Sequence, residues 1–221
     1  MSKAYGQDCL IARVLDVVGD RWTLLIVREL MLGKQRFTDI LEGCGKVSPN
    51  LLSDRLKKLE ANGLVERQYF KELPPRVEYR LTEKGDALRG VLQALIDWGV
   101  EHMEDTQMQP DCLNLQAWLQ YAASFYFHPT AAKEINATYV IRVNGESGYL
   151  SVADGQCRAG AGEPAQADVV FEGEPCSWLD AVFDRCDFQQ ALTNGTLRFS
   201  GSQEKAQLFP VIISRRPVPA L

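Results

Sequence analysis

Ser48-Pro49-Asn50-Leu51-Leu52-Ser53-Asp54-Arg55-Leu56-Lys57-Lys58-Leu59-Glu60-Ala61-Asn62-Gly63 is the stretch on which the reading of this 221-residue chain turns. Ser48 is a favoured N-cap, and Pro49 suits the first helical position, where no backbone N–H is required. Leu52, Leu56 and Leu59 follow at i, i+4 and i+7 and make one apolar face; Asn62-Gly63 stops the helix. The other face shows Asn50, Ser53, Asp54, Lys57 and Lys58 to solvent.

Working outward, Arg36 to Glu42 reads as a short helix with Phe37, Ile40 and Leu41 inward, ended by Gly43 and Gly45. Before it, Trp22 to Leu32 is apolar enough to be buried nearly all round, and Leu10, Ile11, Val14, Leu15 and Val18 recur at helical spacing. After it, Leu64–Phe70 and Val77–Leu81 alternate and are joined by Lys71-Glu72-Leu73-Pro74-Pro75-Arg76, a hairpin with a proline-stiffened tip. Thr82 caps a last helix from Glu83 to about Glu104, striped by Leu88, Val91, Leu92, Leu95, Ile96, Trp98 and Met103. On a domain of about a hundred residues such a helix is expected to pack against a second subunit, unless the other half of the chain covers it.

A short helix, a tight turn, a polar-faced helix and a hairpin make a winged helix-turn-helix. A B-DNA major groove admits one α-helix, whose N-terminal side chains meet base edges. Ser48 starts that helix, and Asn50, Ser53 and Lys57 are placed to reach bases, with Arg55 and Lys58 at phosphates or in intradomain pairs. Arg36 and Thr38 would meet the backbone, and Lys71 and Arg76 on the wing the adjacent minor groove or its phosphates. The competing reading is that each is a solvated surface residue.

Bulk charge alone argues against nucleic acid, at −5 with a pI of about 5.2. Its distribution is uneven. Residues 1–105 hold 16 basic and 17 acidic side chains, residues 106–221 hold 8 and 12, and Lys34 to Arg89 holds 12 and 9. The helix-turn-helix and wing thus keep a local excess of +3 on an acidic whole. Hydrophobic residues at 46% and charged residues at 24% fit an ordinary globular chain.

Asp105 to Asp111 is polar, aperiodic and contains Pro110. It divides the chain into a domain at 1–105, a linker at 106–112 and a domain at 113–221. In the second, Leu115, Leu119, Ala122 and Tyr126 form one helical stripe and Trp118, Tyr121 and Phe125 another. Short β segments at 138–143, 148–152, 156–158 and 168–172 follow, separated by Asn144-Gly145, Asp154-Gly155 and Gly160-Ala161-Gly162 turns. Cys176–Cys186 and Phe188–Leu192 read as helices, Thr196–Ser200 as a strand and Glu204–Ile213 as a closing helix. The expected class is α+β: a winged helix-turn-helix followed by an antiparallel-sheet domain.

Cys9, Val14-Leu15-Asp16-Val17-Val18-Gly19-Asp20-Arg21-Trp22-Thr23-Leu24-Leu25-Ile26, Gly33-Lys34-Gln35-Arg36-Phe37, Ser48–Leu56, Gly63-Leu64-Val65-Glu66-Arg67 and Pro74-Pro75-Arg76-Val77-Glu78-Tyr79 together resemble the HxlR-type winged-helix regulators over about residues 8–103. The resemblance implies a bacterial, MarR-like, DNA-binding homodimer on a pseudo-palindromic operator. Asp20 departs from it, since a second glycine is common there. In some members a cysteine near the N-terminus senses oxidants, and Cys9 sits at the matching place. A half-buried structural cysteine is the alternative.

Val152-Ala153-Asp154-Gly155, Ala167-Asp168-Val169-Val170-Phe171, Trp178-Leu179, Ala191-Leu192-Thr193-Asn194-Gly195-Thr196-Leu197 and Gly201 resemble the sterol-carrier-protein fold over about residues 113–214. Such domains hold lipophilic ligands. Trp118, Phe125, Phe171, Trp178, Phe183, Phe199 and Phe209 are the candidates to line a pocket, or to be plain core.

No hydrolase, protease, phosphate-loop or dinucleotide motif is present, so an enzyme is not expected. Asp168, Asp180 and Asp184 read as solvated faces or helix caps. Six cysteines without a CxxC pair, with only His102 and His128 to join them, argue against a metal site, and no cofactor is implied. Without an export signal or a membrane span, the expected compartment is cytoplasm, with free thiols. The expected partners are double-stranded DNA, a second copy of the chain and a small lipophilic effector. The alternative function is a lipid or acyl carrier that uses the winged helix only to dimerise.

Overall fold

A computed structural model describes residues 4–103, 114–183 and 186–215. The chain packs as two compact units, Met1–Ile96 and Asp97–Leu221. The expected linker at 106–112, Cys112 and Asp184 lie outside the described residues. Among the described residues no helix is long and apolar enough to cross a membrane, and no cluster of His, Cys, Asp and Glu could hold a metal ion.

The N-terminal unit is α1 (Leu10–Val18), α2 (Thr23–Met31), α3 (Phe37–Cys44), α4 (Pro49–Ala61), the hairpin β1 (Val65–Phe70) and β2 (Arg76–Leu81), then α5 (Glu83–Asp86) and the start of α6 (Arg89–His102). Its core joins Ile26, Val27, Ile40, Leu52, Leu56 and Leu59, the stripes expected from periodicity. Thr82 does two jobs beyond capping α5. Its amide donates to the Leu64 carbonyl at 3.1 Å and its hydroxyl to the Gly63 carbonyl at 2.7 Å, which pins the end of the hairpin to the end of α4. The Tyr79 amide donates to the Gln35 carbonyl at 2.8 Å and ties β2 to the segment before α3.

Two local features differ from expectation. The helix expected over 83–104 is interrupted: the Leu88 amide bonds the Gly85 carbonyl in a tightened turn, so α5 and α6 are separate. Gly85 is required there, because a Cβ would meet the Leu64 carbonyl oxygen at 2.0 Å. In the apolar α2, Glu29 is buried, and its carboxylate is held by Arg28 and by Lys34 at 2.6 Å.

In the C-terminal unit, α7 (Leu115–Tyr121) runs into a π-helical turn (Ala122–Tyr126). There follow β3 (Ala137–Val143), β4 (Glu146–Ala153), β5 (Gln156–Ala161), β6 (Val169–Gly173), α8 (Pro175–Val182), α9 (Phe188–Thr193), β7 (Leu197–Gly201) and α10 (Gln203–Ile212). The two hairpins turn at Asn144-Gly145 and Asp154-Gly155 with positive φ at all four residues, as these pairs demand. The sheet order is β5-β4-β3-β6-β7.

The antiparallel meander needs correction at one pairing: β3 and β6 are parallel. Gly162, at φ 71°, turns the chain off β5, and the following residues cross to the far side of β3, so β6 enters in the direction of β3. Arg142 on β3 grips Glu163 of this crossing with two bonds of 2.7 and 2.8 Å. Alternation identifies a strand but carries no information about the direction of its partner.

Asp168 is not a solvated face. Its carboxylate accepts from the Thr138 amide at 2.8 Å and from Lys205 at 2.6 Å, while its carbonyl accepts from the Ser202 amide at 2.8 Å. One residue thus fixes the start of β3, the start of β6 and the first turn of α10.

Candidate functional site

The α3–α4 pair forms the helix-turn-helix. Ser48 caps α4, its hydroxyl accepting from the Leu51 amide at 3.4 Å, and Pro49 occupies the first turn. With Leu52, Leu56 and Leu59 buried, Asn50, Lys57 and Lys58 are exposed and Ser53 is half-buried. Arg36, at the N-terminal boundary of α3, and Thr38, in its first turn, are exposed too, and the Thr38 hydroxyl donates to Asp39 at 3.1 Å. Among the described residues Arg36, Lys57, Lys58 and Lys71 form no ion pair, so their charge faces water.

Arg55 and Arg76 differ. Arg55 pairs with Asp20 at 2.5 Å and is largely buried, which is the intradomain alternative of the two expected for it. Arg76, on the wing, pairs with Glu72 at 3.2 Å and Glu78 at 3.3 Å and lies 4.3 Å over the Phe70 ring. Cys9 is exposed at the N-terminal boundary of α1 and its side chain caps nothing.

An apolar surface surrounds Cys9. Leu10 is 76% and Ile11 71% exposed, and Val14 and Leu15 continue the face. On α6 Val91, Leu95 and Trp98 are exposed, as is Met103 just beyond its end, so among the described residues this stripe is left open to water.

Of the seven aromatic candidates in the C-terminal unit, Trp118, Trp178, Phe171 and Phe209 form one packed core, with ring centroids 5.0 to 6.0 Å apart. Phe183 packs on Tyr126 and Phe125 on Tyr121, at 6.1 and 5.6 Å. Phe199 stands opposite Phe171 on the edge strand β7 and is 37% exposed, so it does not line an enclosed interior. Two rings that sequence reasoning missed complete the core. Tyr139 lies 5.1 Å from Phe209, and Phe188 lies 5.5 Å from Phe171. Tyr139 was readable as an inward position of β3, whereas Phe188 had only its place at the start of a short helix.

The indole Nε1 atoms of Trp118 and Trp178 and the Tyr139 hydroxyl are buried in this core without a hydrogen-bond partner among the described residues. Burial, with smaller contributions from Asp168 and Cys157, pushes the Tyr139 phenol above its ordinary range and keeps it protonated.

The HxlR-like helix-turn-helix family model matches residues 17–107, and the SCP-2 sterol transfer family model matches residues 128–214. Cys9 lies ahead of the first match and Trp118 and Phe125 ahead of the second. The uncharacterized HTH-type transcriptional regulator YvaP of Bacillus subtilis (strain 168) is 40% identical over 92 residues, which are 42% of this chain and 85% of that protein. The HTH-type transcriptional regulator YodB of the same organism is 44% identical over 88 residues, 40% of this chain and 79% of that protein. The solved structure of YodB in its reduced form, 40% identical, covers 44% of this chain and 97% of its own, with a TM-score of 0.40. Matched over its winged helix by relatives of which it spans most of the length, the chain belongs to the HxlR-like helix-turn-helix family and carries behind that domain a unit of the SCP-2 type.

Proposed function

We propose that this protein is a cytoplasmic, homodimeric transcriptional regulator that binds a pseudo-palindromic operator through α4 and its wing. The observation that carries the reading is the capped α4, which buries Leu52, Leu56 and Leu59 and turns Asn50, Lys57 and Lys58 outward. Two such helices are needed for tight binding, because a local excess of +3 supports weak attraction only. The exposed leucines and isoleucine of α1 and the stripe of α6 supply a surface for the second copy.

Control enters by one of two routes. A lipophilic effector entering the C-terminal unit would have to part this packed core, and an acceptor on it gains by meeting any of the buried donors of Trp118, Trp178 and Tyr139, each of which costs about 1–3 kcal/mol unsatisfied. By linkage, an effector that prefers the DNA-incompetent arrangement of the dimer releases the operator. Alternatively the exposed Cys9 thiol is oxidised beside the dimer surface.

The test is a mobility shift of duplex DNA by the purified dimer at low salt, followed by a salt titration. A slope of about −0.9 per phosphate contact supports the reading, and no shift at low salt ends it. Native mass spectrometry of the protein as purified tests the effector, through a co-purified apolar ligand. Diamide treatment of wild type and Cys9→Ser tests the thiol: unchanged DNA binding in wild type removes that route.

A further inference from the structure

Leu73, at the tip of the wing, is 100% exposed, the highest of the large apolar side chains among the described residues. The β1–β2 ladder ends at the Phe70–Arg76 pair, so residues 71–75 project past it. Pro74 and Pro75 follow directly, and with φ fixed and no N–H to pair they hold the tip stiff. The cation expected to lead the wing is turned back. Arg76 is engaged by Glu72 and Glu78 and lies over the Phe70 ring, which leaves Lys71, Leu73, Pro74 and Pro75 exposed at the tip beside Glu72, whose half-exposed carboxylate is tied to Arg76.

The base of the wing is fixed relative to α4. The bonds from Thr82 to Leu64 and Gly63, and from Tyr79 to Gln35, hold the hairpin against both helices of the helix-turn-helix. A stiff apolar point, beside an exposed lysine and rigidly offset from a major-groove helix, suits the neighbouring minor groove. Apolar side chains inserted there part a base step and kink the duplex, most cheaply at flexible pyrimidine–purine steps.

We propose that Leu73 is such a wedge. It enters the minor groove beside the α4 site, opens a flexible base step and bends the operator, while Arg76 acts as the buttress that presents it. This rests on the DNA-binding reading above.

The experiment uses the full-length protein and a duplex enriched by that protein from a random-sequence pool. Energy transfer between dyes at the two ends reads the bend, and 2-aminopurine placed at the step facing the wing reads unstacking. Wild type is expected to shorten the end-to-end distance and raise the 2-aminopurine signal. Leu73→Ala, at a site with no packing to lose, binds the same sequence about tenfold more weakly, the equivalent of about 1.4 kcal/mol, and loses both signals. Leu73→Met retains both. Equal bending by wild type and Leu73→Ala overturns the wedge, as does a loss of dimer in Leu73→Ala by light scattering, which would assign the leucine to the second copy. If wild type enriches no duplex, the DNA-binding reading itself fails, and the wedge with it.

Discussion

Arg55, on α4, meets Asp20, in the turn ahead of α2, at 2.5 Å, and both side chains are largely buried. The other Asp20 oxygen accepts from the Trp22 amide at 3.1 Å. The residue that departs from the commoner glycine therefore closes the turn before α2 and anchors α4 as well. Replacing it with glycine removes both contacts. Asp20→Gly is expected to cost about 1–2 kcal/mol, or several degrees in Tm by calorimetry. Arg55→Ala is expected to lower Tm while leaving the salt slope of DNA binding unchanged, whereas Lys58→Ala, at an exposed side chain free for a phosphate, reduces that slope by about 0.9. A reduced slope in Arg55→Ala would put the guanidinium on a phosphate.

Asn50 tests the other half of the interface. It is exposed in the first turn of α4, where a carboxamide can pair with the N6 and N7 of adenine. Asn50→Ala is expected to cost about 1–3 kcal/mol and to relax preference at one position per half-site in selections from a random pool. A uniform loss across sequences would instead place Asn50 at the backbone.

The N-terminal unit was legible because its signals are local. A cap at Ser48, a leucine stripe and a proline-stiffened hairpin each imply a conformation on their own. Pairings across the fold were not legible. Nothing near Arg55 names Asp20 as its partner, and nothing in an apolar helix announces that Glu29 is neutralised by Lys34. The same limit explains the sheet. Asn144-Gly145 and Asp154-Gly155 dictate their hairpins, but the parallel entry of β6 depends on where residues 162–168 cross, and no local signal states that, the Arg142–Glu163 pair on the crossing being itself a contact between distant residues. Aromatic spacing identified four members of the C-terminal core but could not tell an edge position, Phe199, from an interior one.

The exposed face of α1 predicts an oligomer with one-residue resolution. Leu10 and Ile11 together would bury about 3–6 kcal/mol of apolar surface in a partner's face. Leu10→Glu combined with Ile11→Glu is expected to yield a folded monomer by light scattering and to weaken DNA binding by far more than either charge alone explains. A variant that stays dimeric would move the interface elsewhere.

The thiols should divide by burial. Burial, with Glu29 next, raises Cys44 to about 11, and burial alone raises Cys157 to about 12. At pH 8 both stay largely protonated; the buried Cys44 reacts only after unfolding, and the half-buried Cys157 reacts slowly through its small thiolate fraction. Cys9 and Cys176 are exposed, and Cys186, also exposed, is raised by partial burial and by Asp180 and Asp187. Iodoacetamide at pH 8 with peptide mass spectrometry is therefore expected to modify Cys9 and Cys176 first, Cys186 and Cys157 more slowly, and Cys44 only in denaturant. Early modification of Cys44 would show that the end of α3 opens in the native state.

Asp168 gives the C-terminal unit a signature in acid. The Lys205 ammonium, at 2.6 Å, holds its carboxyl below the ordinary 3.8, outweighing the opposing effect of burial with further help from the Thr138 amide. A carboxylate depressed in the folded state binds its proton more readily when unfolded. Its contribution to stability is therefore complete above pH 3.8 and is lost as pH falls through the lower folded value. Asp168→Asn keeps an acceptor for Thr138 but loses the charge that holds Lys205. Wild type should exceed the variant in Tm by a constant margin from pH 7 to about 5, and the margin should close as the pH drops below 3.8. Because the pair is about one-third exposed, added salt should narrow the margin at neutral pH as well. A margin that persists undiminished at pH 2 would mean that Asp168 acts through shape and not through charge.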